Sequence, residues 1–309
     1  MSPPTAPATS QKPDPDGHGP ISHIAAAIDP YPEGRDAAVL GAMLAQATGA
    51  EMMLLAVEPD LPLLIPGLDR KRMREETKAM LAQTRSALAP DARLIIETDL
   101  SVPRGIHRAV RDQHRDLVVV GSSRRGPEGE VSIGRRTRQL LDELTCALAI
   151  APRGLSAQPT SSLGRIGVGY DAGPEAHAAL VLAAGIAARC GAELTIRGVV
   201  DDRIPALGWP NVWLGAIMES WLEVITEEAA QLLGGIETAA AALGVEAHMD
   251  VQRGRPSKSL LELSADVDLL VVGSRRWGSV ARLLLGGTGE ALVRGARCSM
   301  LIVPRPPKS

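Results

Sequence analysis

Aromatic residues are the scarcest class in this chain of 309 residues, which has four Trp, two Tyr and no Phe. The hydrophobic fraction is nevertheless 45%, so the core must be built from Ala, Val, Leu and Ile. This composition favours an α/β architecture, in which aliphatic strands lie under helices rich in small residues. It also counts against a surface that binds single-stranded nucleic acid by stacking bases on aromatic rings.

Cysteine, net charge and long apolar runs are also limited. Three widely separated cysteines form neither a disulfide framework nor a metal-binding cluster, which indicates a reducing compartment. No uncharged run reaches the roughly 18 residues that a membrane-spanning helix needs, and the start of the chain lacks a signal-peptide pattern. The net charge of −3 gives no overall attraction to nucleic acid or to an anionic membrane. We therefore expect a cytoplasmic protein that binds neither.

One stretch of the sequence occurs twice. An apolar run rich in Val and Leu ends at Gly121 and again at Gly273, and a second glycine follows 13 residues later, at Gly134 and Gly286. A buried parallel strand that stops at a glycine leads into a loop at the carboxyl edge of a sheet, where open α/β sheets bind ligands. A helix-like segment follows the second glycine, and its free backbone N–H groups could hold an anion. The pattern predicts a phosphate cradle.

The rest of the chain follows the same repeat. A strand that ends at Asp29, an alanine-rich helix and a second strand that reaches Val57 recur, with the same spacing, as far as Asp171 and Val199. Each half as a whole is predicted to be β-α-β-α-β-α-β-α-β. Right-handed crossovers arrange this order as a five-stranded parallel sheet with helices on both faces, a doubly wound, Rossmann-like fold.

The domain boundaries follow from the repeat and from composition. Proline-rich residues 1–21 predict a disordered tail, and the Ser- and Pro-rich stretch between the halves predicts a linker. The predicted domains are residues 22–152 and 164–304, with the linker at 153–163 and a short tail at 305–309.

The second half contains a net ten extra residues, which we place around Ile204–Trp213. Three of the four tryptophans, Trp209, Trp213 and Trp221, lie in or just after this insertion. Two interpretations are open: a lid or partner surface, or simple packing of a loop on the helix that follows it.

These features together resemble the universal stress protein family in its tandem two-domain form. The resemblance is carried by the aspartate that ends strand one, the valine in strand two, the glycine loops after Asp-Leu-Val-Val-Val-Gly and Asp-Leu-Leu-Val-Val-Gly, and a short last strand that begins at a cysteine. It extends over nearly everything except the tails and the linker. In members that bind nucleotides, the aspartate and the valine hold adenine, while the loop holds ribose and phosphates.

The resemblance implies a site for ATP, with or without Mg²⁺, in each half, and it implies no catalytic residue and no protein-bound metal. In the second half the implied nucleotide-binding residues are Asp171, Val199, Gly273, Arg275, Arg276, Gly286, Gly287 and Thr288. In the first half they are Asp29, Val57, Gly121, Arg124, Gly134 and Arg135.

The loops depart from the family pattern at two positions. Arg124 and Arg276 replace its second glycine, and Arg135 and Gly287 stand where Ser or Thr is expected, although Thr288 follows. A non-glycine residue in a left-handed conformation costs about 1–2 kcal/mol, whereas an arginine hydrogen bond to phosphate contributes about 1.5–3 kcal/mol. The substitutions therefore leave binding open, and the arginines near both loops form either a solvated surface or an anion site.

Other patterns in the sequence are weaker. Gly167 and Gly169 match a dinucleotide fingerprint, but they align with alanines inside the first strand of the first half. The loops lack the lysine of a P-loop, and there is no nucleophile elbow. We interpret Cys146 and Cys298, which stand at equivalent positions before the last strands, as small core residues.

Three functions remain open at this stage. We favour a non-enzymatic stress protein that responds to adenine nucleotides through its choice of partner. The alternative is a nucleotide-free dimerisation or scaffolding module, and a third hypothesis is slow ATP hydrolysis. The last strand in the family commonly pairs sheet edges, so we expect the halves to pair within the chain through residues 146–151 and 298–303, which leaves a further homodimer open.

Overall fold

The structure is a computed structural model that describes residues 21–60, 69–141, 144–158, 163–203, 214–274 and 285–304, without the side chains of 214–219. The predicted terminal tails and Ile204–Trp213 lie outside these ranges, apart from Ile21. The described strands are β1 (His23–Ala27), β2 (Glu51–Pro59), β3 (Arg93–Asp99), β4 (Leu117–Gly121), β5 (Ala147–Ala151), β6 (Arg165–Tyr170), β7 (Glu193–Val200), β8 (His248–Arg253), β9 (Leu269–Gly273) and β10 (Ser299–Val303). The described α-helices are α1 (Pro32–Thr48), α2 (Arg70–Leu88), α3 (Val102–Asp112), α4 (Arg135–Leu141), α5 (Pro174–Cys190), α6 (Leu214–Leu243), α7 (Pro256–Leu263) and α8 (Gly287–Leu292).

The ten strands form one sheet in the order β3-β2-β1-β4-β5-β10-β9-β6-β7-β8. Within each half all neighbouring strands are parallel, which confirms the predicted doubly wound α/β fold. The halves meet where β5 and β10 pair antiparallel, with Ile150 opposite Met300 and Leu148 opposite Ile302. The expectation that the two halves pair through their last strands is therefore confirmed.

Alternate residues of each central strand face opposite sides of the sheet. In β4, Leu117 and Val119 belong to the core under α1 and α5, whereas Val118 and Val120 belong to the core on the other side. Each of these two cores includes residues of both halves. The strands are apolar on both faces because helices cover both sides of a parallel sheet.

The helix ends follow from proline and glycine. Both α1 and α5 have a proline in the first turn, where the fixed φ of that residue suits a helix and its missing N–H costs nothing. They end at Gly49 (φ 73°) and Gly191 (φ 63°), because a left-handed residue at the end of a helix is most easily a glycine.

The described start of the predicted linker packs on the first half. Residues Leu155–Ala157 form a short 3-10 helix in which Leu155 is buried. The carboxylate of Asp36 in α1 accepts hydrogen bonds from the backbone N–H groups of Gly154, at 2.8 Å, and Ser156, at 2.7 Å. Because Asp36 is itself buried, these two bonds compensate its lost hydration and fasten the segment to α1.

Candidate functional site

The predicted site residues of the first half converge on one edge of the sheet. Strand β1 lies between β2 and β4, and all three strands are parallel. Asp29 follows β1, Val57 lies near the end of β2, and Gly121 ends β4. These residues therefore share the carboxyl edge. The equivalent residues at the carboxyl edge of the second half are Asp171, Val199 and Gly273.

Each strand-end aspartate closes the turn that follows it. Asp29 Oδ1 accepts a hydrogen bond from the backbone N–H of Tyr31 at 3.1 Å, and Asp171 Oδ1 accepts one from Gly173 at 3.0 Å. Such a bond two residues along the chain is the Asx turn, which requires a short side-chain acceptor. The backbone of the second turn is also strained, because Ala172 has a φ of 60°.

The first-half aspartate has a perturbed acidity. Asp29 is exposed by its accessible area, yet enough protein surrounds its carboxyl group to remove part of its hydration. This desolvation raises the pKa of Asp29, although the Tyr31 N–H and the Arg124 guanidinium act to lower it. A neighbouring positive charge therefore stabilises the ionised form of this carboxyl group.

The strand-end glycines are explained by close packing. A Cβ at Gly121 would lie 2.8 Å from the carbonyl carbon of Glu33, and one at Gly273 would lie 2.6 Å from that of Glu175. Glu33 and Glu175 stand in the first turns of α1 and α5. Only glycine lets these helices begin directly over the end of the neighbouring strand, so each glycine positions a helix start beside the Asx turn.

The loop after β4 binds its own backbone. Ser122 Oγ donates to the carbonyl of Ala151 at 2.7 Å and accepts from the N–H of Ser132 at 3.2 Å. The N–H of Ser123 donates to the carbonyl of Ser132 at 2.6 Å. These bonds close the loop into a compact turn, and they use N–H groups that an anion would otherwise contact.

The same loop is also fastened to the other half. The N–H groups of Val131 and Ile133 donate to the carbonyls of Ala296, at 2.7 Å, and Val293, at 3.0 Å, which follow α8. Arg138 in α4 then donates to Glu290 in α8, with Nη1 to Oε1 at 2.5 Å. The glycine loop of the first half is thus part of the contact between the halves.

Arg124, which replaces a glycine of the family pattern, lies over an aromatic ring. Its guanidinium carbon is 3.7 Å from the centroid of Tyr31, a cation–π arrangement. Arg124 thereby connects the glycine loop to the turn that Asp29 closes. Gly134 lies against Ser123, where an added Cβ would make an ordinary 3.7 Å contact, and Arg135 is exposed at the start of α4.

The second half is described on both sides of its loop. Arg275 and Arg276 lie outside the described residues, and Gly286 precedes α8 with φ −69° and ψ 175°. Apart from its chain neighbours and the backbone of its own helix, no atom of the described residues lies within 4 Å of where a Cβ at Gly287 would stand, and Thr288 is half-buried beside it. The described residues therefore leave the space beside the start of α8 open.

A polar network beside Val199 was not predicted from the sequence. Arg197 donates from Nε to both carboxylate oxygens of Asp250, each at 3.1 Å, and from Nη1 to the carbonyl of Ser259 at 3.3 Å. The same strand positions in the first half hold Leu55 and Ile95. The available signal was an arginine inside the apolar strand Leu-Thr-Ile-Arg-Gly-Val-Val, which required a partner.

The formal dinucleotide fingerprint has a packing explanation. Gly167 and Gly169 lie inside β6, and Cβ atoms there would stand 3.1 Å from Leu263 Cδ2 and 2.9 Å from Leu260 Cδ1. The absence of side chains at these glycines leaves room for the leucines of α7 to pack against the sheet, and this packing explains the two glycines without a dinucleotide.

Cys146 and Cys298 lie where a core residue is expected, and burial raises the pKa of both thiols to about 12.

No helix in the described ranges is long and apolar enough to cross a membrane. Within the same ranges, no group of three or more His, Cys, Asp or Glu side chains could hold a metal ion.

Comparison with known proteins gives consistent matches. The model of the universal stress protein family matches residues 20–152 and 163–304. A universal stress protein of Mycobacterium tuberculosis is 25% identical over 219 residues, which are 71% of this chain and 72% of that protein. A universal stress protein from Archaeoglobus fulgidus has a crystal structure with a TM-score of 0.66 at 18% identity, covering 92% of this chain and 98% of that one. A functionally unknown protein from Pseudomonas aeruginosa has a TM-score of 0.62 at 16% identity, covering 92% of each chain.

Proposed function

Because this chain belongs to the universal stress protein family, with one family domain in each half, we propose that it is a regulatory protein that responds to adenine nucleotides. ATP, with or without Mg²⁺, binds at the carboxyl edge of the second half and changes which partner the protein selects. The protein acts by binding and not by strong catalysis, in the cytoplasm.

One observation carries this proposal: the strand-end aspartate, the strand-two valine and the start of α8 border the same edge of the second half. Asp171 and Val199 would contact adenine, while Gly273, Gly286, Gly287 and Thr288 would face ribose and phosphates. The open space at Gly287 fits this assignment, because phosphate oxygens must approach the backbone where a side chain would obstruct them.

Differences between the halves favour the second. Tyr31, which supports Arg124 across the first-half site, corresponds in sequence to Gly173 in the second half, a residue without a ring. The hydroxyl of Thr288 corresponds to the exposed Arg136.

The two aspartates nearest the site are poor candidates for a general base. Oδ1 of Asp29 and of Asp171 each accepts a hydrogen bond from a backbone N–H of the following turn. This structural role accounts for an aspartate at each position without a catalytic function. We therefore expect no rapid phosphate release. If steady release occurs and is abolished by Asp171→Asn, the non-catalytic part of the proposal is wrong.

Equilibrium dialysis of the full chain with labelled ATP tests binding. Wild type should bind saturably, and Gly287→Trp, which fills the open space beside α8, should abolish binding in the second half. Gly185→Trp is the matched control, because Gly185 is an exposed glycine of α5 whose Cβ would also meet nothing within 4 Å. Equal ATP binding by wild type and Gly287→Trp would contradict the assignment of the site.

The second candidate is a nucleotide-free scaffold in which the fold serves only to pair surfaces. The hydrogen bonds from Val131 and Ile133 to the other half favour it, since they give the glycine loop a role without ligand. Absence of saturable ATP binding in wild type would establish this alternative over the first. Tight binding would remove it.

A further inference from the structure

A groove of about 610 Å³ lies at the junction of the two halves. One wall is a face of α7 and the residues that flank this helix. The turn after α8 and Glu130 of the first-half glycine loop complete the lining. Its volume lies within the range of about 300–1,000 Å³ that is typical of small-molecule sites.

Positive side chains outnumber negative ones around this groove. The lining contains Arg255, Lys258 and Arg297 on one hand and Glu130 and Glu262 on the other. The ion pairs among them are long: Arg297 Nε lies 3.8 Å from Glu130 Oε1, and Lys258 Nζ lies 3.8 Å from Glu262 Oε1. Such exposed pairs contribute little, so an anion can compete for these cations at small cost.

The rest of the lining is apolar and small. Leu261 lies in α7 and Ala265 in the turn that follows it, and Gly295 lies near them with a Cβ position 3.8 Å from Leu261 Cδ2. This part offers a surface for an apolar body beside the cations. A freely hydrated inorganic ion would use the charges but leave this surface in water.

We propose that this groove is a second ligand site, for a small organic anion with an apolar body and a single carboxylate, sulfonate or phosphate group. The anionic group contacts Arg297 and Arg255, and the apolar body lies on Leu261, Ala265 and Gly295. Because Glu130 belongs to the first half and α7 to the second, the groove lies between the halves. Its lining shares no residue with the proposed nucleotide sites.

The probe for the test is 8-anilinonaphthalene-1-sulfonate, whose fluorescence increases when the ring system leaves water, titrated into the folded full-length protein. Arg297→Ala should weaken binding about tenfold, the loss expected of one hydrogen bond between charged groups. Ala265→Trp, which fills the groove from an exposed position, should remove the signal. Glu262→Gln should strengthen binding, since it removes a negative charge from the lining.

Three control variants separate this site from others. Arg294→Ala removes an exposed cation of the same turn that does not line the groove, and it should leave the titration unchanged. Leu222→Ser changes an exposed apolar residue of α6 and should also have no effect. Gly287→Trp, which targets the proposed nucleotide site, should not alter probe binding.

Octanoate should displace the probe from wild type, since it has the same combination of one anionic group and an apolar body. Unchanged probe affinity in both Arg297→Ala and Ala265→Trp would overturn the proposal, as would loss of the signal in Leu222→Ser. If Ala265→Trp shows an altered unfolding midpoint, the opposite shifts expected for Arg297→Ala and Glu262→Gln decide the question.

Discussion

The guanidinium of Arg124 stacks on the ring of Tyr31, 3.7 Å from its centroid. This pair connects the glycine loop of the first half to the Asx turn of Asp29. A ligand that enters between the loop and the turn must displace the arginine. We therefore expect the arginine at a motif-glycine position to hinder ligand entry at the proposed first-half site.

Replacing Tyr31 with glycine, the residue at the equivalent position of the second half, should open the first-half site. An exposed cation–π pair is worth about 0.5–1 kcal/mol, so ATP affinity of that half should rise roughly two- to fivefold. The measurement is calorimetric titration in the Gly287→Trp background, in which the second half is blocked. Tyr31→Phe is the control, since it keeps the ring. If Tyr31→Gly binds no tighter than Tyr31→Phe, the stack does not control access.

Gly121→Ala should destabilise the fold. The added Cβ would lie 2.8 Å from the Glu33 carbonyl carbon, so α1 must shift away from the end of β4, at a cost of about 1–3 kcal/mol. Urea unfolding followed by circular dichroism measures the change. Gly185→Ala is the comparison, because it adds a Cβ in open space within α5 and should gain about 0.5–1 kcal/mol. A neutral Gly121→Ala would show that the helix start is not held tightly.

The repeat could be predicted from the sequence because it depends on the conformational preferences of single residues at the ends of strands and helices. An apolar run that stops at Gly121 and Gly273, and helices that stop at Gly49 and Gly191, reflect constraints of one or two residues. Those constraints predicted the order of strands and helices along each half and its parallel sheet. They also predicted the pairing of the last strands once the family resemblance was added.

The contacts that shape the site could not be predicted from the sequence, because they depend on strand register and on residues that are distant along the chain. Val131 bonds Ala296, which is remote in sequence, and no local pattern reports such a pair. Arg197 meets Asp250 only because β7 and β8 pair in one particular register. A sequence fixes that register through a whole sheet rather than through either strand.

The net contribution of the Arg197–Asp250 pair to the free energy of unfolding should be smaller than the destabilisation caused by removing one of its two members. Asp250→Ala should cost about 1.5–3 kcal/mol, since it leaves a guanidinium that is only 13% exposed without its carboxylate. The double variant Arg197→Leu/Asp250→Ile, which installs the first-half residues at these positions, should recover most of that loss. A double-mutant cycle compares wild type, Arg197→Leu, Asp250→Ile and the double variant by urea unfolding, and it measures the coupling energy between the two side chains. Additive losses would show that the two side chains act separately.

The bond between Arg138 and Glu290 makes contact between the halves sensitive to acid. The hydrogen bond from Arg138 lowers the pKa of Glu290 below its ordinary value of 4.5, against the desolvation that would raise it. A depressed carboxyl pKa contributes stability above the unfolded value, and this contribution is lost as pH falls below 4.5 towards the folded pKa. Glu290→Gln should therefore lower stability at pH 7, by up to about 1 kcal/mol for a partly exposed pair.

The same substitution should have a smaller effect near pH 4. This pH lies below 4.5, the ordinary pKa that the Glu290 carboxyl group has in the unfolded chain. Urea unfolding of wild type and Glu290→Gln at both pH values measures this difference. Glu262→Gln, which removes an exposed carboxylate from the long pair with Lys258, serves as the control and should change stability little at either pH. An equal loss for Glu290→Gln at pH 7 and pH 4 would mean that its charge does not hold α4 and α8 together, because only a charge effect disappears with protonation.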